Sequence, residues 1–405
     1  MIEHLPESIT RQTPGVSCTT TLTHEPQRRE ISQSENRQIS VSEVRTVRQI
    51  GESLDFNGEV LTVNPLNDSR WNDLVETHPN SSIFHTVGWL EALRRTYGYE
   101  PCVVSIDSKN KPLSNGLVFC VVQSWLSGPR LVALPFSDHC DPLVNDPQEL
   151  EALVGLLEAQ VRKSRYAYLE IRPSAQSHSI ASQSLLPQDE AFCIHQLDMH
   201  ASLDVLYSRF HKSCVQRKIR KAEKQRLQYE EGRSEELLAK FYSLFVQTRR
   251  RHRLPPQPLK WFRNLCLCLG DRLKIRLVSK DNRPLAGMIT TIFRDTAVYK
   301  YGCSDSRYHN LGTMSLLMWR AIQDAKMSGA CRFDLGRSNN ANKGLIAFKE
   351  HWGAAKNSLH YYRYPAGIKT DASSSWKAWL VKQTCSHLPD PFLVALGEAL
   401  YKHIG

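Results

Sequence analysis

Long apolar runs are missing from this sequence, and their absence excludes a membrane-spanning protein. Its apolar runs, such as Leu117–Val122 and Phe392–Leu396, are far shorter than the roughly 20 residues that a membrane helix needs. The N-terminal region lacks the basic and then apolar pattern of a secretion signal, and its Glu3, Glu7 and Glu25 are atypical of an organelle transit peptide. We therefore expect a cytoplasmic protein with no transmembrane segment.

Metal-type cysteine spacing is also missing. Among the 11 cysteines, Cys266 and Cys268 are separated by one residue, whereas zinc motifs usually place about two to four residues between paired ligands. Most cysteines lie among apolar residues, as Cys120 does, and there a free thiol behaves as a small core side chain. The sequence predicts reduced cysteines, no bound metal and no tightly bound cofactor.

Aromatic residues are scarce at the N-terminus, where residues 1–58 contain only Phe56 and are rich in Ser, Thr, Gln, Glu and Arg. Such a segment buries too little apolar surface to offset the entropy of folding, so we expect a disordered leader. From Leu61 onward, short apolar strands alternate with amphipathic helices, which is typical of an α/β fold. The domains that follow the leader are predicted at 59–190, at 191–365 and, as a C-terminal helical tail, at 366–405.

Two patterns occur twice, in the same order, along the chain. The first is a strand, a polar turn and a second strand, found at 104–116 and again at 278–287. The second is a strand after a long helix, Tyr168–Arg172 in one half and Phe333–Arg337 in the other. Repetition of two patterns in one order indicates duplication of a single unit. We therefore predict two tandem α/β (α+β) domains, each a mixed sheet flanked by helices.

One predicted helix, Ser202–Arg226, carries a strongly basic face that includes Arg217, Arg220 and Lys221, and its apolar stripe centres on Ile219. The chain as a whole has a net charge of +11. Such a face predicts contact with an anionic group, for example the phosphates of a donor or an anionic lipid precursor. A solvated basic surface without a ligand is the alternative.

The stretch from Tyr299 to Trp352 contains the candidate chemistry. Tyr301-Gly302 ends a predicted strand, and a polar loop then leads to Asn310-Leu311-Gly312-Thr313, where a helix begins. Backbone amides at the start of a helix bind anions, and a glycine lets a ligand approach the backbone closely. In the alternative interpretation, these residues only begin the helix, with the threonine as its cap.

A carboxyl group and a cation follow in the same stretch. Asp334 lies in a predicted strand, with Arg337 and Ser338 just past its end, where open α/β sheets present functional groups. Asp334 is either a group that accepts a proton or orients a substrate, or a buried aspartate that fixes the following loop. Lys349, three residues before Trp352, is either a fixed cation beside the site or an ordinary exposed helix lysine.

These motifs together resemble the FemAB-like branch of the GNAT acetyltransferase superfamily, over roughly Leu61 to Tyr364. The basic helix adds to the resemblance, as do Leu134-Pro135-Phe136-Ser137-Asp138 in the first half. The motifs that carry it are Tyr301-Gly302, Asn310-Leu311-Gly312, Phe333-Asp334-Leu335-Gly336-Arg337-Ser338, Gly344 and Phe348-Lys349-x-x-Trp352-Gly353.

The resemblance implies two GNAT-like domains, with an acyl donor and an amine acceptor bound in or beside the cleft between them. It implies that Lys349 stabilises negative charge on the reacting carbonyl or on a carboxylate of the acceptor, and Asp334 is the candidate base or orienting group. Asp138 and His139 are candidates to contribute across the cleft. We expect the loop at Leu311 to converge with Asp334 and Lys349 on one pocket. The candidates for binding donor or acceptor are Tyr301, Gly302, Asn310, Leu311, Gly312, Thr313, Arg337, Ser338, Trp352, Arg217, Arg220 and Lys221.

Three functions stay open at this point. The first is an N-acyltransferase that moves an acyl group from acyl-CoA to an amine of a cell-envelope, polysaccharide or peptide precursor, in the cytoplasm or at the inner face of the membrane. The second is an aminoacyl-tRNA-dependent aminoacyltransferase of the peptidoglycan type, although the second half has no extended heptad segment for the helical hairpin of some such enzymes. The third is a non-catalytic module that binds anions or tRNA.

Overall fold

The computed structural model describes residues 60–125, 128–164, 166–174, 187–366, 385 and 388–404. The leader predicted at residues 1–58 and part of the predicted tail lie outside this range. Within it, the strands are β1 Leu61–Val63, β2 Pro101–Ser105, β3 Leu117–Val122, β4 Arg130–Val132, β5 Leu169–Ile171, β6 Pro187–Asp198, β7 Gln228–Gly232, β8 Leu273–Lys280, β9 Arg283–Phe293, β10 Thr296–Ser304, β11 Arg332–Asn339 and β12 Ala355–Tyr364. The α-helices are α1 Ser69–Thr77, α2 Val87–Tyr97, α3 Pro147–Lys163, α4 Leu203–Arg209, α5 Arg217–Glu223, α6 Glu235–Arg251, α7 Leu259–Leu269, α8 Thr313–Met327, α9 Lys343–Glu350 and α10 Asp390–Ile404.

The strands form one mixed sheet in the order β1-β2-β3-β4-β5-β12-β6-β11-β10-β9-β8-β7. β1 to β5 in the first half correspond to β7 to β11 in the second. In each run the first three pairings are antiparallel and the last, β4 with β5 or β10 with β11, is parallel. The repeated sequence patterns fall on β2–β3 and β8–β9, and on β5 and β11. The predicted tandem α/β fold is therefore confirmed.

The sixth strand of each half is exchanged between the halves. β6 follows β5 in the chain but pairs with β11, and β12 follows β11 but pairs with β5. The two exchanged strands also pair with each other in antiparallel fashion, from Ala355 with Gln196 to Tyr362 with Pro187. Two sheets are joined into one by this exchange. Because β6 runs through the boundary predicted between residues 190 and 191, that division stays a prediction.

The single helix predicted at Ser202–Arg226 is wrong, because the chain breaks in the middle of it. α4 ends at Arg209, where Phe210 adopts an extended conformation (φ −66°, ψ 144°). A π-helical turn at Lys212–Gln216 follows, and α5 then begins at Arg217. The basic residues of α5 therefore lie on a helix of 7 residues rather than on a long one.

Two apolar cores lie on opposite faces of the sheet in the second half. One is shared between the halves, since α2 packs on α7 and the indole of Trp89 meets that of Trp261 edge-on at 5.3 Å. The other packs α8 and α5 on the sheet, with Trp352 fully buried in it. Neighbouring residues of β9 show the alternation, because Met288 belongs to the second core and Ile289 to the first. Among the helices described, none combines the length and the apolar character that crossing a membrane requires.

The junction of β5 with β12 allows a test of the exchanged strands. Glu170 on β5 is 2% exposed and accepts hydrogen bonds from Arg172 and from Arg363 on β12. Glu170→Ala removes the carboxylate that both guanidinium groups share, so we expect the free energy of unfolding in urea to fall by about 3–5 kcal/mol. In the control, Glu151→Ala on the exposed side of α3, it should change by less than about 0.5 kcal/mol. Equal losses in both variants would contradict this role.

Candidate active site

The polar cluster of the second half begins where β10 and β11 separate. These parallel strands pair over three residues, and their last pair is Val298 with Asp334. Just beyond this pair each strand has an irregularity against its other neighbour, at Lys300 against β9 and between Asp334 and Arg337 against β6. Bulges of this kind re-aim side chains. The strand ends therefore diverge at the point where a buried carboxyl group lies.

A histidine from the first half bridges two carboxyl groups at this point. His139 Nε2 lies 3.5 Å from Oδ2 of Asp334, and its Nδ1 lies 3.6 Å from Oδ2 of Asp141. Burial lowers the pKa of His139, but the two carboxylates together outweigh burial and raise this pKa to about 10. His139 is therefore a buried imidazolium at neutral pH, and it holds Asp334 of the second half against the first half.

Lys300 makes a second ion pair between the halves. Its Nζ lies 2.7 Å from Oδ2 of Asp138, and it also lies 5.0 Å from the ring centroid of Phe84 and 5.6 Å from that of Trp89. Burial raises the pKa of Asp138, but the charge and hydrogen bond of Lys300 give a net lowering. The hydroxyl of Tyr361 on β12 donates to the main-chain oxygen of Asp138 at 2.7 Å. The first-half loop is thus fixed from three strands.

Lys349 on α9 reaches the same region from the opposite side of the β11 bulge. Its Nζ donates to the main-chain oxygens of Gly336 at 2.6 Å and Arg337 at 3.2 Å. Lys349 is 2% exposed, which excludes its interpretation as an exposed helix lysine. Burial lowers its pKa to about 8, against the opposing effect of the Asp138 and Asp334 carboxylates. The structure thus brings Asp334 and Lys349 together.

Asp334 also has the structural role that the sequence left open. Its Oδ1 accepts a hydrogen bond from the N–H of Gly336 at 2.6 Å, which fixes the start of the bulge. Gly336 has a φ of +72°, and a Cβ added there would lie 3.5 Å from Oδ2 of Asp138. One carboxyl oxygen of Asp334 thus holds the loop, and the other faces His139.

An open cleft between the halves leads from solvent to this cluster. It has a volume of about 350 Å³. Its lining includes Ser81, Ser82, His139 and Asp141 from the first half and Val298 and Asp334 from the second. Lys349 lies outside this lining. A ligand in the cleft would therefore meet Asp334 directly, but not Lys349.

Three of the predicted binding residues pack the protein interior. The hydroxyl of Tyr301 accepts a hydrogen bond from Nε1 of Trp261 at 2.8 Å. Gly302 makes room for a neighbouring ring, because a Cβ added there would lie 1.8 Å from the hydroxyl oxygen of Tyr299. Trp352 is fully buried. A ligand-binding role for these three residues stays a prediction, because the contacts described are packing contacts within the protein.

Arg337 and Ser338 are better placed to contact a ligand. Arg337 is exposed, donates to the hydroxyl of Tyr361 at 2.9 Å and lies over the ring of Phe192 with 4.3 Å to its centroid. Ser338 is 2% exposed, and its hydroxyl has no hydrogen-bond partner within the described residues. A buried hydroxyl that lacks a partner is available to a ligand or a water.

The segment of Asn310, Leu311, Gly312 and Thr313 packs against α5. Gly312 has a φ of +76°, and a Cβ added there would lie 2.4 Å from the main-chain oxygen of Lys218. The space that this glycine leaves is therefore filled by α5, and not left for a ligand. Thr313 is buried within the first turn and is not the cap, because Gly312 occupies the cap position.

The expected convergence on one pocket is therefore only partial. The cleft at Asp334 does not include residues 310–313 in its lining. Between Val298 and Ser304, where β10 ends, lie about 20 Å of extended strand. Arg217, Arg220 and Lys221 are exposed on α5 beside the start of α8, and within the described residues they contact neither Asp334 nor Lys349.

A second groove, of about 410 Å³, lies beside the end of β10 and is rich in arginine. It is lined by Arg250, Arg251 and Arg253 from the end of α6 and by Arg307 from the loop after β10. Arg250 pairs with Asp390, and Arg307 pairs with Asp305 at 2.6 Å. Two of its four arginines thus have a carboxylate partner. The groove and the Asp334 cleft have no lining residue in common.

Sequence reasoning missed several members of the site. Lys300 and Tyr361 were not singled out, because neither residue gives a local signal of a partner more than 160 residues away. Their common partner, Asp138, was a candidate site residue, but its contacts with Lys300 and Tyr361 were not predicted. Nothing in the sequence indicated that His211, Cys214 and His351 lie close together, because only the fold brings them into contact. The prediction of no bound metal was made without this observation.

The comparisons with known proteins agree with this architecture. Residues 209–350 match the family model described as an acetyltransferase (GNAT) domain. The whole fold is similar to that of FemX, with a TM-score of 0.60 at 14% identity over 75% of this chain and 96% of FemX. It is also similar to a tandem GNAT protein from the clavulanic acid biosynthesis pathway, with a TM-score of 0.50 at 12% identity over 77% of this chain and 99% of that one. No curated protein sequence matches the chain.

The fold is thus a tandem α/β fold similar to the folds of FemX and of a tandem GNAT protein, and its residues 209–350 match a GNAT acetyltransferase family model. At these identities, the likeness to FemX and to the clavulanic acid pathway protein describes the fold alone. The residues that match the GNAT family model include β10, β11 and Asp334.

The raised pKa of His139 predicts how stability depends on pH. An unfolded histidine has a pKa of about 6.5, so the charged form is favoured by folding. Charged His139 stabilises the folded protein through its contacts with Asp141 and Asp334. This stabilisation is complete below about pH 6.5 and is lost as the pH rises to about 10. The difference in free energy of unfolding between wild type and His139→Gln should fall by a few kcal/mol (about one to four) over this range in urea titrations. For the exposed His252→Gln no such fall is expected, and a pH-independent difference for His139 would refute the ion-pair assignment.

Proposed function

We propose that this protein is an N-acyltransferase that transfers an acyl group from acyl-CoA to an amine of a cell-envelope, polysaccharide or peptide precursor. The observation that carries the proposal is the position of Asp334. It lies at the last paired residue before β10 and β11 diverge, and it faces a cleft between the halves. A carboxyl group at such a place can contact an amine in the cleft and the carbonyl group of a donor that lies between the diverging strands.

The acceptor amine binds in the cleft at Asp334 and Asp141. An amine arrives at neutral pH largely as an ammonium, and two carboxylates attract it. His139 is already charged, so it does not take the proton; it keeps Asp334 in place. The ammonium first loses one proton to Asp334, and the neutral amine then attacks the thioester carbonyl. As the C–N bond forms and the C–S bond breaks, the second proton of the nitrogen passes to the leaving CoA thiolate.

Charge that develops on the carbonyl oxygen is stabilised from the α9 side. Lys349 is buried next to the bulge, and its ammonium is close enough to feel both Asp138 and Asp334. A fixed cation in a site that excludes water stabilises an oxyanion by a few kcal/mol (roughly 3). The hydroxyl of Ser338, which has no hydrogen-bond partner among the described residues, lies on the same strand, two residues beyond Gly336, whose N–H donates to Oδ1 of Asp334.

A long donor fits the separation of the polar regions. The arginine-rich groove lies at the end of β10. Asp334 on β11 lies beside Val298, the last residue of β10 that pairs with β11. A CoA thioester has its phosphates and its thioester at opposite ends of the pantetheine arm, so it can place phosphates at the groove and the carbonyl at the gap. Aminoacyl-tRNA also has phosphates remote from a reactive ester, and it is the alternative donor, favoured by the exposed Arg217, Arg220 and Lys221.

The test is turnover by the purified full chain. It is incubated with acetyl-CoA or longer acyl-CoA and a panel of amines, and in parallel with aminoacyl-tRNA, with products followed by mass spectrometry. Asp334→Asn and Lys349→Ala should each lower kcat by at least about 100-fold, because each removes a group that acts on the transition state. Donor binding should change by less than about threefold, since neither side chain is placed to hold the phosphates.

Matched controls use exposed residues of the same two types. Lys343 is an exposed lysine on α9, and Asp271 is an exposed aspartate, so Lys343→Ala and Asp271→Asn should keep wild-type kcat. Transfer that is abolished by ribonuclease would show the aminoacyl-tRNA donor instead. Donor binding without turnover, unchanged in Lys349→Ala, would show a binding module and overturn the proposal.

A further inference from the structure

Three side chains with metal-binding atoms meet on the surface of the second half, outside the site described above. The ligand atoms of His211, Cys214 and His351 all lie within 4.8 Å of one another. The rings of His211 and His351 are 4.5 Å apart between centroids. The main-chain N–H of His211 donates to the main-chain oxygen of His351 at 2.9 Å, so the approach of the two histidines is fixed by the backbone.

Local structure brings the three residues together from two distant segments. His211 and Cys214 flank the start of the π-helical turn Lys212–Gln216, which follows the break after α4. His351 is the residue at which α9 ends. π-Helical turns are rare, and they occur frequently at functional sites. The turn places the cysteine three residues after a histidine, on the side that faces the end of α9.

The donor set matches one kind of metal ion. Two imidazoles and a thiolate suit zinc, which binds nitrogen and sulfur ligands in a tetrahedron at about 2.0–2.3 Å. Donor atoms around such an ion are about 3.3–3.7 Å apart, so these groups must approach by about an ångström. His211 is exposed and Cys214 and His351 are half-buried, which leaves the side chains free to make that adjustment.

Two existing contacts of His211 compete with the metal, and in one of them Oγ of Ser213 lies 3.3 Å from its Nδ1. Nδ1 of His211 accepts a hydrogen bond from the main-chain N–H of Cys214 at 3.2 Å. A neutral imidazole has one lone pair, so an ion that takes Nδ1 displaces this hydrogen bond, at a cost of about 1 kcal/mol. Three metal–ligand bonds outweigh this loss. Cys214 binds as a thiolate, and its proton passes to solvent.

We propose that His211, Cys214 and His351 bind one Zn²⁺ ion, with water or an anionic oxygen at the fourth position. The ion ties the end of α9 to the turn that leads into α5. It therefore fixes two segments that flank the second core at a point where the backbone has a single hydrogen bond between them. The site uses no residue of the Asp334 cluster, so it does not depend on the proposed function.

The test uses the full chain after removal of metal with a chelator. Titration with Co²⁺, a spectroscopic substitute for Zn²⁺, should give one equivalent of bound ion, a thiolate-to-cobalt charge-transfer band and visible ligand-field bands typical of a tetrahedral site. Competition with a chromophoric chelator then gives the affinity for Zn²⁺. Cys214→Ser should abolish the charge-transfer band, and His211→Ala and His351→Ala should each weaken Zn²⁺ binding at least about 10-fold.

Control variants keep the same residue types elsewhere. Cys331→Ser and His252→Ala lie outside the cluster and should bind like the wild type. Circular dichroism of each metal-free variant establishes that its fold is retained. A charge-transfer band that persists in Cys214→Ser, or Zn²⁺ binding that is equally strong in all three cluster variants, would overturn the proposal.

Discussion

The antiparallel pairing of β6 with β12 is the interaction on which the rest of the structure depends. Each strand completes the sheet of the other half, and not the sheet of the half that it directly follows in the chain. The two strands pair with each other along Ala355 to Tyr362. Their pairing turns two five-stranded sheets into one and sets the position of the first-half loop over the second-half strands. Tyr361, which holds the main chain of Asp138, lies on β12 itself.

The polar cluster is a consequence of that arrangement, because its charges come from both halves. His139 and Asp138 belong to the first half, while Asp334, Lys300 and Lys349 belong to the second. Buried charges are stable only when opposite charges and hydrogen bonds surround them. Neither half by itself would supply the partners, so the assembly of the sheet and the electrostatics of the candidate site form together.

The duplicated fold was visible in the sequence because it depends on local patterns, and the same stretch of sequence made Asp334 and Lys349 candidate site residues. The strand exchange was not visible: β12 carries polar residues at most of its positions and gives no strand signal, although both its edges are paired. The break at Phe210 was missed because a basic amphipathic pattern continues through it. The pairing of His139 with Asp334 spans 195 positions, and nothing near either residue specifies it.

The strand exchange also has a consequence for the order in which the protein can be completed during synthesis. When the ribosome has produced β5, its later neighbour β12 still lies about 190 residues further along the chain. β6 is likewise produced well before its partner β11. Both strands have an unpaired edge in the meantime, and such an edge invites pairing with other chains. The nascent first half is thus an incomplete folding unit, and its sheet closes only after translation has passed Tyr364.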